Sequence, residues 1–285
     1  MQSSPPTTLP ASPLRWHAPM LVKASVACHV GACLVLLARP STWPWVLALL
    51  VLNHVVLATA GLWPRSTWLG DNMRRLPAAS AARGEVAITL DDGPDPVVTP
   101  AVLDLLDKHG ARATFFCIAQ QAQRHPQLCR EIVRRGHSVQ NHSHRHSHTF
   151  SLSGPRAFER EIVLAQDALS HITGQRPAFF RAPAGLRNLF LAPVLHAAQL
   201  QLASWTRRGF DTVSADPTRV LARLTRGLRA GDILLLHDAN AQRAQSGKPV
   251  VIEVLPALLQ QIAQAGLRTV TLPQAMLAAP VKAGA

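Results

Sequence analysis

From Val86 onwards the chain alternates short strand-like runs with helix-like segments, and this alternation restricts the fold more than any other feature of the sequence. The spacing predicts strands at 86–90, 113–118, 137–141, 178–181, 201–205, 232–236 and 268–271. Segments of helical period separate them, at 99–109, 126–135, 155–172, 192–198, 217–229 and 250–265, and a short helix closes the series. A helix between successive strands implies parallel pairing with right-handed crossovers. Seven or eight such units in about 200 residues suit an α/β fold of the distorted or incomplete (β/α) barrel type, with an open doubly wound sheet as the alternative.

Two apolar runs precede this region. The first covers 24–38, or 20–38 if Lys23 snorkels; the second, 43–63, has no charge and a Trp at each end. About 20 apolar residues cross a bilayer, so 19–64 reads as a membrane anchor of two transmembrane helices joined by the polar turn Arg39-Pro40-Ser41-Thr42. A cleaved signal peptide is the competing reading of the first run, but the long leader and the second run oppose it. The Pro-, Ser- and Thr-rich residues 1–18 read as a disordered tail and the Ala-rich 65–84 as a linker. Arg15 and Lys23 precede the anchor, Arg65, Arg74, Arg75 and Arg83 follow it, and only Arg39 lies in the turn. The positive-inside rule then places both ends, and with them the globular part, on the cytoplasmic side of a bacterial-type inner membrane.

The net charge of +13 suits contact with anionic membrane lipid or an anionic substrate. Nucleic acid is excluded as a partner: there is no basic helix with interleaved aromatics, no zinc-finger spacing, and no Tyr at all. Cys28, Cys33, Cys117 and Cys129 show no CxxC spacing and read as small buried or isolated thiols.

In a parallel α/β fold, chemistry gathers at the carboxyl ends of the strands. Those ends carry Asp91 and Asp92, then His142 and His146, Arg181, Arg208 and Asp211, and finally His237 and Asp238. Asp91 and Asp92 end a strand at the Gly93-Pro94 turn, which suits a metal ligand beside a general base; an Asx turn capped by Asp92 is the competing reading. The tract Asn141 to His148 holds His142, His144, His146 and His148 at alternate positions. Spacing i, i+4 allows either His142 with His146 or His144 with His148 to meet one ion, and a histidine-rich exposed loop is the plainer alternative. Two histidines and one carboxylate, Asp91 or Asp92, would complete a three-ligand site with open positions, the form of a catalytic metal.

These residues stand in motifs. Residues 85–273 resemble the polysaccharide deacetylases of carbohydrate esterase family 4, the NodB-homology domain. Thr89-Leu90-Asp91-Asp92-Gly93-Pro94 is similar to the family's T-F-D-D-G-P, and Gly136 to His146 to the strand that runs into Asn-His-[Ser/Thr]-x-x-His. Arg181-Ala182-Pro183-Ala184-Gly185 is similar to R-x-P-[Tyr]-G, and Leu235-Leu236-His237 to L-x-H. The match selects His142 and His146 over His144 and His148, and implies a catalytic domain over 85–280. There are two departures. Ala184 replaces the usual Tyr. In the Asp-x-x-Asp-Trp segment, Arg208 and Thr212 stand where the first Asp and the Trp are expected.

The resemblance implies a divalent metal, zinc in the first place with cobalt, nickel or manganese as alternatives, held by Asp92, His142 and His146. It implies Asp91 as general base, Arg181 as its orienting partner, His237 as acid, and the Ala184 N–H as oxyanion donor. Asp211, by position, is the candidate partner of His237. Trp205 and Leu235 belong to the substrate-binding set, with core packing as the plainer reading of Trp205. The expected activity is metal-dependent N-deacetylation of an amino-sugar polymer or lipid-linked glycan. The alternatives are a deformylase or deacylase of a polyprenyl-phosphate sugar, or an inactive carbohydrate-binding protein that keeps the fold.

Overall fold

The computed structural model describes residues 16–277; the expected tail before Trp16 and the last residues of the expected domain lie outside them. Two apolar helices come first, α1 (Met20–Ala38) and α2 (Trp43–Leu62), followed by α3 (Ala78–Ala82). The series then runs β1 (Glu85–Asp91), α4 (Val98–Lys108), β2 (Ala113–Cys117), α5 (Ala119–Arg124), α6 (Pro126–Arg134), β3 (Ser138–Asn141), α7 (Pro155–Thr173), β4 (Phe179–Phe180) and α8 (Leu191–Ala197). It ends with β5 (Gln201–Leu202), β6 (Arg207–Arg208), α9 (Pro217–Thr225), β7 (Ile233–His237), α10 (Val250–Gln264), β8 (Arg268–Thr269) and α11 (Leu272–Met276).

All strand pairs are parallel, in the order β5-β4-β3-β2-β1-β7-β6, with β8 beside the start of β1. The sheet curls but does not close by strand pairing alone, so the fold is the expected incomplete (β/α) barrel. Side-chain alternation separates its two faces. Val86, Ile88 and Leu90 of β1, Phe115 of β2, and Leu234 and Leu236 of β7 pack outward against the helices. Ala87, Phe116 and Leu235 point into the concave side with Trp205. By the same period Thr89 and Asp91 share the inner face of β1, and His237 the inner face of β7.

Residues 65–84, expected as a linker, are instead built into the domain. Leu69, Met73 and Leu76 are buried. Met73 makes a parallel bridge to Ala203 beyond β5, and Arg75 an antiparallel one to Asp232 at the start of β7. This segment therefore runs from the end of edge strand β5 to the start of β7, its backbone pairing with both.

The helices α1 and α2 pack together and leave most of their apolar side chains exposed; each is long and apolar enough to cross a membrane. Exposed Trp43 and Trp45 sit at the turn end, and Trp16, Trp63 and Trp68 at the domain end. Aromatic residues at both ends match the two interfaces of a bilayer. The base of this hairpin rests on the domain. The Gly61 carbonyl accepts from the Arg187 N–H at 3.1 Å, and a side chain at Gly61 would run into the Arg187 carbonyl.

Candidate active site

Sheet register sets the site. Asp91 is level with His237 across β1 and β7 and with Phe116 of β2, which is level with Gln140 of β3; Asn141, one residue on, is level with Phe180 of β4. Asp91 and His237 end their strands, Asp92, His142 and Arg181 stand one residue beyond, and His146, Ala184 and Asp211 lie in the loops that follow. Adjacent residues of a regular strand face opposite sides, but Asp92 has φ 76°, which breaks the alternation and brings its carboxylate to the same side as Asp91. Gly93 follows because a side chain there would collide with buried Asp238. Burial pushes the Asp238 carboxyl up to about 7, against the hydrogen bond it accepts from Thr99 at 2.6 Å.

Asp92 Oδ1 lies 3.3 Å from His142 Nε2 and 3.3 Å from His146 Nε2. The three ligand atoms fall within 4.8 Å of one another. Ligands about 2.0–2.1 Å from a tetrahedral zinc are separated by roughly 3.3 Å, so the two Asp92–histidine separations have the spacing of ligands on one divalent ion. His142 Nδ1 is 2.8 Å from the Arg181 carbonyl, which accepts its proton and leaves Nε2 free as a ligand. The histidine tract is a turn rather than a helix: Ser143 has φ 65° and His146 φ 56°. Asn141 Oδ1 and Ser143 Oγ accept from the backbone N–H groups of Ser143 and His146, and Glu161 of α7 accepts from those of His144 and Arg145. His144 and His148 are outside this set of ligands. His137 is buried at the far end of β3, where burial and the charge of Arg112 press it down to about 4.

Electrostatics divides the two imidazoles. Burial pushes both down; the Asp91 and Asp92 carboxylates reverse this for His142, whereas His146, facing the charge of His142, is lowered to about 4. Burial would raise Asp92, but the hydrogen bond and positive charge of His142, with His237 and His146, hold it well below the usual carboxylate range.

Arg181 is 1% exposed and fills the barrel interior. It donates to Asp91 Oδ1 at 2.6 Å, to Thr89 Oγ1 at 2.8 Å and to the carbonyls of Ala203 and Ser204, with its guanidinium 4.0 Å above the Phe116 ring. Asp211, wholly buried, uses both oxygens on His237: one 2.8 Å from Nδ1, the other accepting the backbone N–H at 2.8 Å. Burial alone would depress His237, and Asp211 outweighs it and raises the imidazole.

Ala184 is exposed in a single helical turn with φ 54°, a left-handed conformation that costs an alanine about 1–2 kcal/mol. Among the described residues, six of the seven non-glycine residues of positive φ, namely Asp92, Ser143, His146, Ala184, Phe210 and Asn240, are at or next to this centre. Beneath them, Trp205 and Leu235 are buried in the inner cluster. Sequence reasoning missed Thr89 as a partner of Arg181, Glu161 as the clamp of the histidine turn, and Asn240, which donates to Asp92 Oδ2 at 3.2 Å. Only Thr89 lay inside a recognisable motif; Glu161 and Asn240 carry no sequence signal.

Fold and site together define the class: an incomplete parallel (β/α) barrel gathering a three-ligand cluster, a buried Arg–Asp pair and a His–Asp pair at its strand ends. The family model described as Polysaccharide deacetylase matches residues 78–203. A peptidoglycan-N-acetylglucosamine deacetylase of Bacillus cereus is 32% identical over 191 residues, covering 66% of this chain and 86% of that protein. A chitooligosaccharide deacetylase of Sinorhizobium fredii is 33% identical over 219 residues, covering 72% and 97%. A solved family 4 carbohydrate esterase from Streptomyces lividans, in complex with acetate, shares the fold at TM-score 0.59 and 31% identity, over 65% of this chain and 91% of that one. The chain belongs to the polysaccharide deacetylase family, carbohydrate esterase family 4. The matched residues begin at 78, so the bridging residues Met73 and Arg75 and the hairpin lie outside them.

Proposed function

We propose that the chain is a membrane-anchored, metal-dependent hydrolase that removes N-acetyl groups from an amino-sugar glycan. The observation that carries this reading is the convergence of Asp92, His142 and His146 beside two separately braced proton-transfer groups, Asp91 with Arg181 and His237 with Asp211. Relatives that act as deacetylases on peptidoglycan and chitooligosaccharides support it.

An amide is a weak electrophile and an amine a poor leaving group, so hydrolysis needs an activated water, stabilisation of developing charge, and an acid. Zinc, or cobalt, nickel or manganese in its place, when bound by Asp92, His142 and His146, supplies charge that polarises the acyl carbonyl and acidifies water. Asp91 takes the proton of the attacking water, its carboxylate held in place by Arg181. The Ala184 N–H donates to the oxygen that gains negative charge. His237 gives its proton to the departing nitrogen, and Asp211 keeps the imidazole charged and oriented until then. Trp205 and Leu235 form the apolar floor beneath the acylated sugar. The test is acetate release from an N-acetylated chitooligosaccharide by the metal-loaded full-length protein; no release with any of these metals contradicts the reading.

A second reading concerns where the glycan is presented. The hairpin base packs on the loop that follows Arg181, with Pro64 against Gly185 and Gly61 against Arg187. Arg65, Arg74, Arg75 and Arg83 flank the hairpin on the domain side. This favours a cytoplasmic domain acting on a lipid-linked amino sugar at the membrane surface. A C-terminal reporter fusion decides it, and a periplasmic signal would overturn it in favour of an extracytoplasmic glycan.

A further inference from the structure

Two neighbouring arginines on β6 have opposite fates. Arg207 binds Asp232 at 2.6 Å and the carbonyls of Arg226 and Gly227. The Arg208 side chain makes no hydrogen bond or ion pair among the described residues, and its Nε is buried without a partner. Arg208 pairs with Leu235 in the sheet, two residues before His237, so its backbone stands one inward-facing layer below the centre. Its guanidinium carbon lies 5.5 Å from the Trp205 ring and 4.9 Å from that of Phe210. Trp205 has the Arg181 guanidinium 5.9 Å from its centre as well. Exposed Phe210 has a second cation near it, Arg223 at 5.3 Å, whose one hydrogen bond is a long contact of 3.4 Å to the Gly209 carbonyl.

Among the described residues no carboxylate forms an ion pair with Arg208. Asp211 spends both oxygens on His237, Asp91 is bound by Arg181, and Asp92 faces the histidines and Asn240. A cation held rigid by aromatic rings, partly desolvated and uncompensated, favours an anion in the cleft. A guanidinium fork suits the oxygens of phosphate and carboxylate alike.

We propose that Arg208, held between Trp205 and Phe210 and backed by Arg223, is an anion-binding subsite beside the catalytic centre. The N-acylated sugar that this chain serves carries a phosphate or a carboxylate on the reacting ring or on its neighbour. The inference rests on the deacetylase reading above and names the substrate class within it.

The test compares acetate release by the full-length, zinc-loaded protein from three compounds: neutral di-N-acetylchitobiose, N-acetylglucosamine 1-phosphate, and a disaccharide bearing the lactyl carboxylate of N-acetylmuramic acid. The wild type favours one of the anionic compounds in kcat/KM, and which one distinguishes phosphate from carboxylate. Arg208→Ala lowers kcat/KM for that compound about ten- to a hundredfold more than for chitobiose, chiefly through KM, and Arg208→Lys restores part of the difference. Arg219→Ala, an exposed arginine on α9, leaves the ratio unchanged. Equal ratios in wild type and Arg208→Ala overturn the subsite. Calorimetric titration of the Asp91→Asn protein with the two anionic compounds needs no turnover. Binding lost on adding Arg208→Ala upholds the subsite even if no acetate is ever released, in which case the deacetylase reading alone falls. Absence of binding to either compound overturns it.

Discussion

Two histidine–carboxylate assemblies flank Asp91, built from the same two residue types and turned to opposite ends. In one, a single carboxylate, Asp92, lies 3.3 Å from two imidazoles whose rings are 4.8 Å apart, and burial together with the charge of His142 lowers His146 to about 4. In the other, Asp211 gives both oxygens to His237 alone, and the imidazole is raised above its ordinary value despite burial. Geometry divides the chemistry: two imidazoles converging on one carboxylate suit a cation, and a singly served imidazole suits the storage of a proton. The backbone agrees with this division. Positive φ at Asp92, Ser143 and His146 aims the first group at one point, while His237 stays in regular strand geometry.

The comparison breaks most visibly if the first assembly does not hold the ion. His142→Ala removes a buried ligand and should abolish zinc binding together with at least about a thousandfold of activity, read by metal analysis and acetate release. Asp91→Asn should keep the ion yet lose about 10²- to 10⁴-fold in kcat, the range expected for a missing general base. Equal activity in Asp91→Asn and wild type contradicts the role of Asp91.

Asp211→Asn sharpens the other side. His237 acts when protonated, so activity is present below its raised pKa and lost as pH rises through it. Removing the carboxylate lowers that pKa; the alkaline limb of kcat/KM should move to lower pH, and kcat at neutral pH should fall about ten- to a hundredfold. An unmoved limb assigns the proton elsewhere.

The loop beginning at Arg181 joins the first assembly to the hairpin, and Gly61 tests that join. Alanine is a better helix former than glycine, so Gly61→Ala should leave α2 intact while its Cβ pushes the Arg187 carbonyl and the Ala184 turn. A fall in kcat of about tenfold is expected, with zinc content unchanged. Gly31→Ala, in α1 with nothing within 4 Å of the added Cβ, should show no change. The smallest effect belongs to Asn240→Ala, which removes one hydrogen bond to Asp92 and should weaken zinc affinity about tenfold or less by competition titration.

Local signals made much of this legible. Strand and helix periods located the repeating units, and Asp91-Asp92-Gly93-Pro94 and His142 with His146 are near neighbours in sequence as in space. Other features depend on distant partners. The strands β4, β5 and β8 fall inside predicted runs, whereas β6, two residues long, is too short for any period to show. Residues 65–84 have a linker's composition, and only pairing with Ala203 and Asp232 gives them order. Asp91 and Asp92 looked equivalent; the positive φ at Asp92 and the contact of Arg181 with Asp91 distinguish them. Glu161 and Asn240 reach the centre from α7 and from beyond β7, where no spacing points to it.

The division of labour is tested most directly by titrating metal-free full-length protein with zinc while following acetate release from an N-acetylated chitooligosaccharide, for wild type and His237→Ala side by side. Wild-type activity should rise to a plateau at one equivalent, and His237→Ala should bind the same equivalent with the same affinity while releasing almost no acetate. Zinc-independent activity, or loss of zinc binding in His237→Ala, would contradict the separation of the two assemblies.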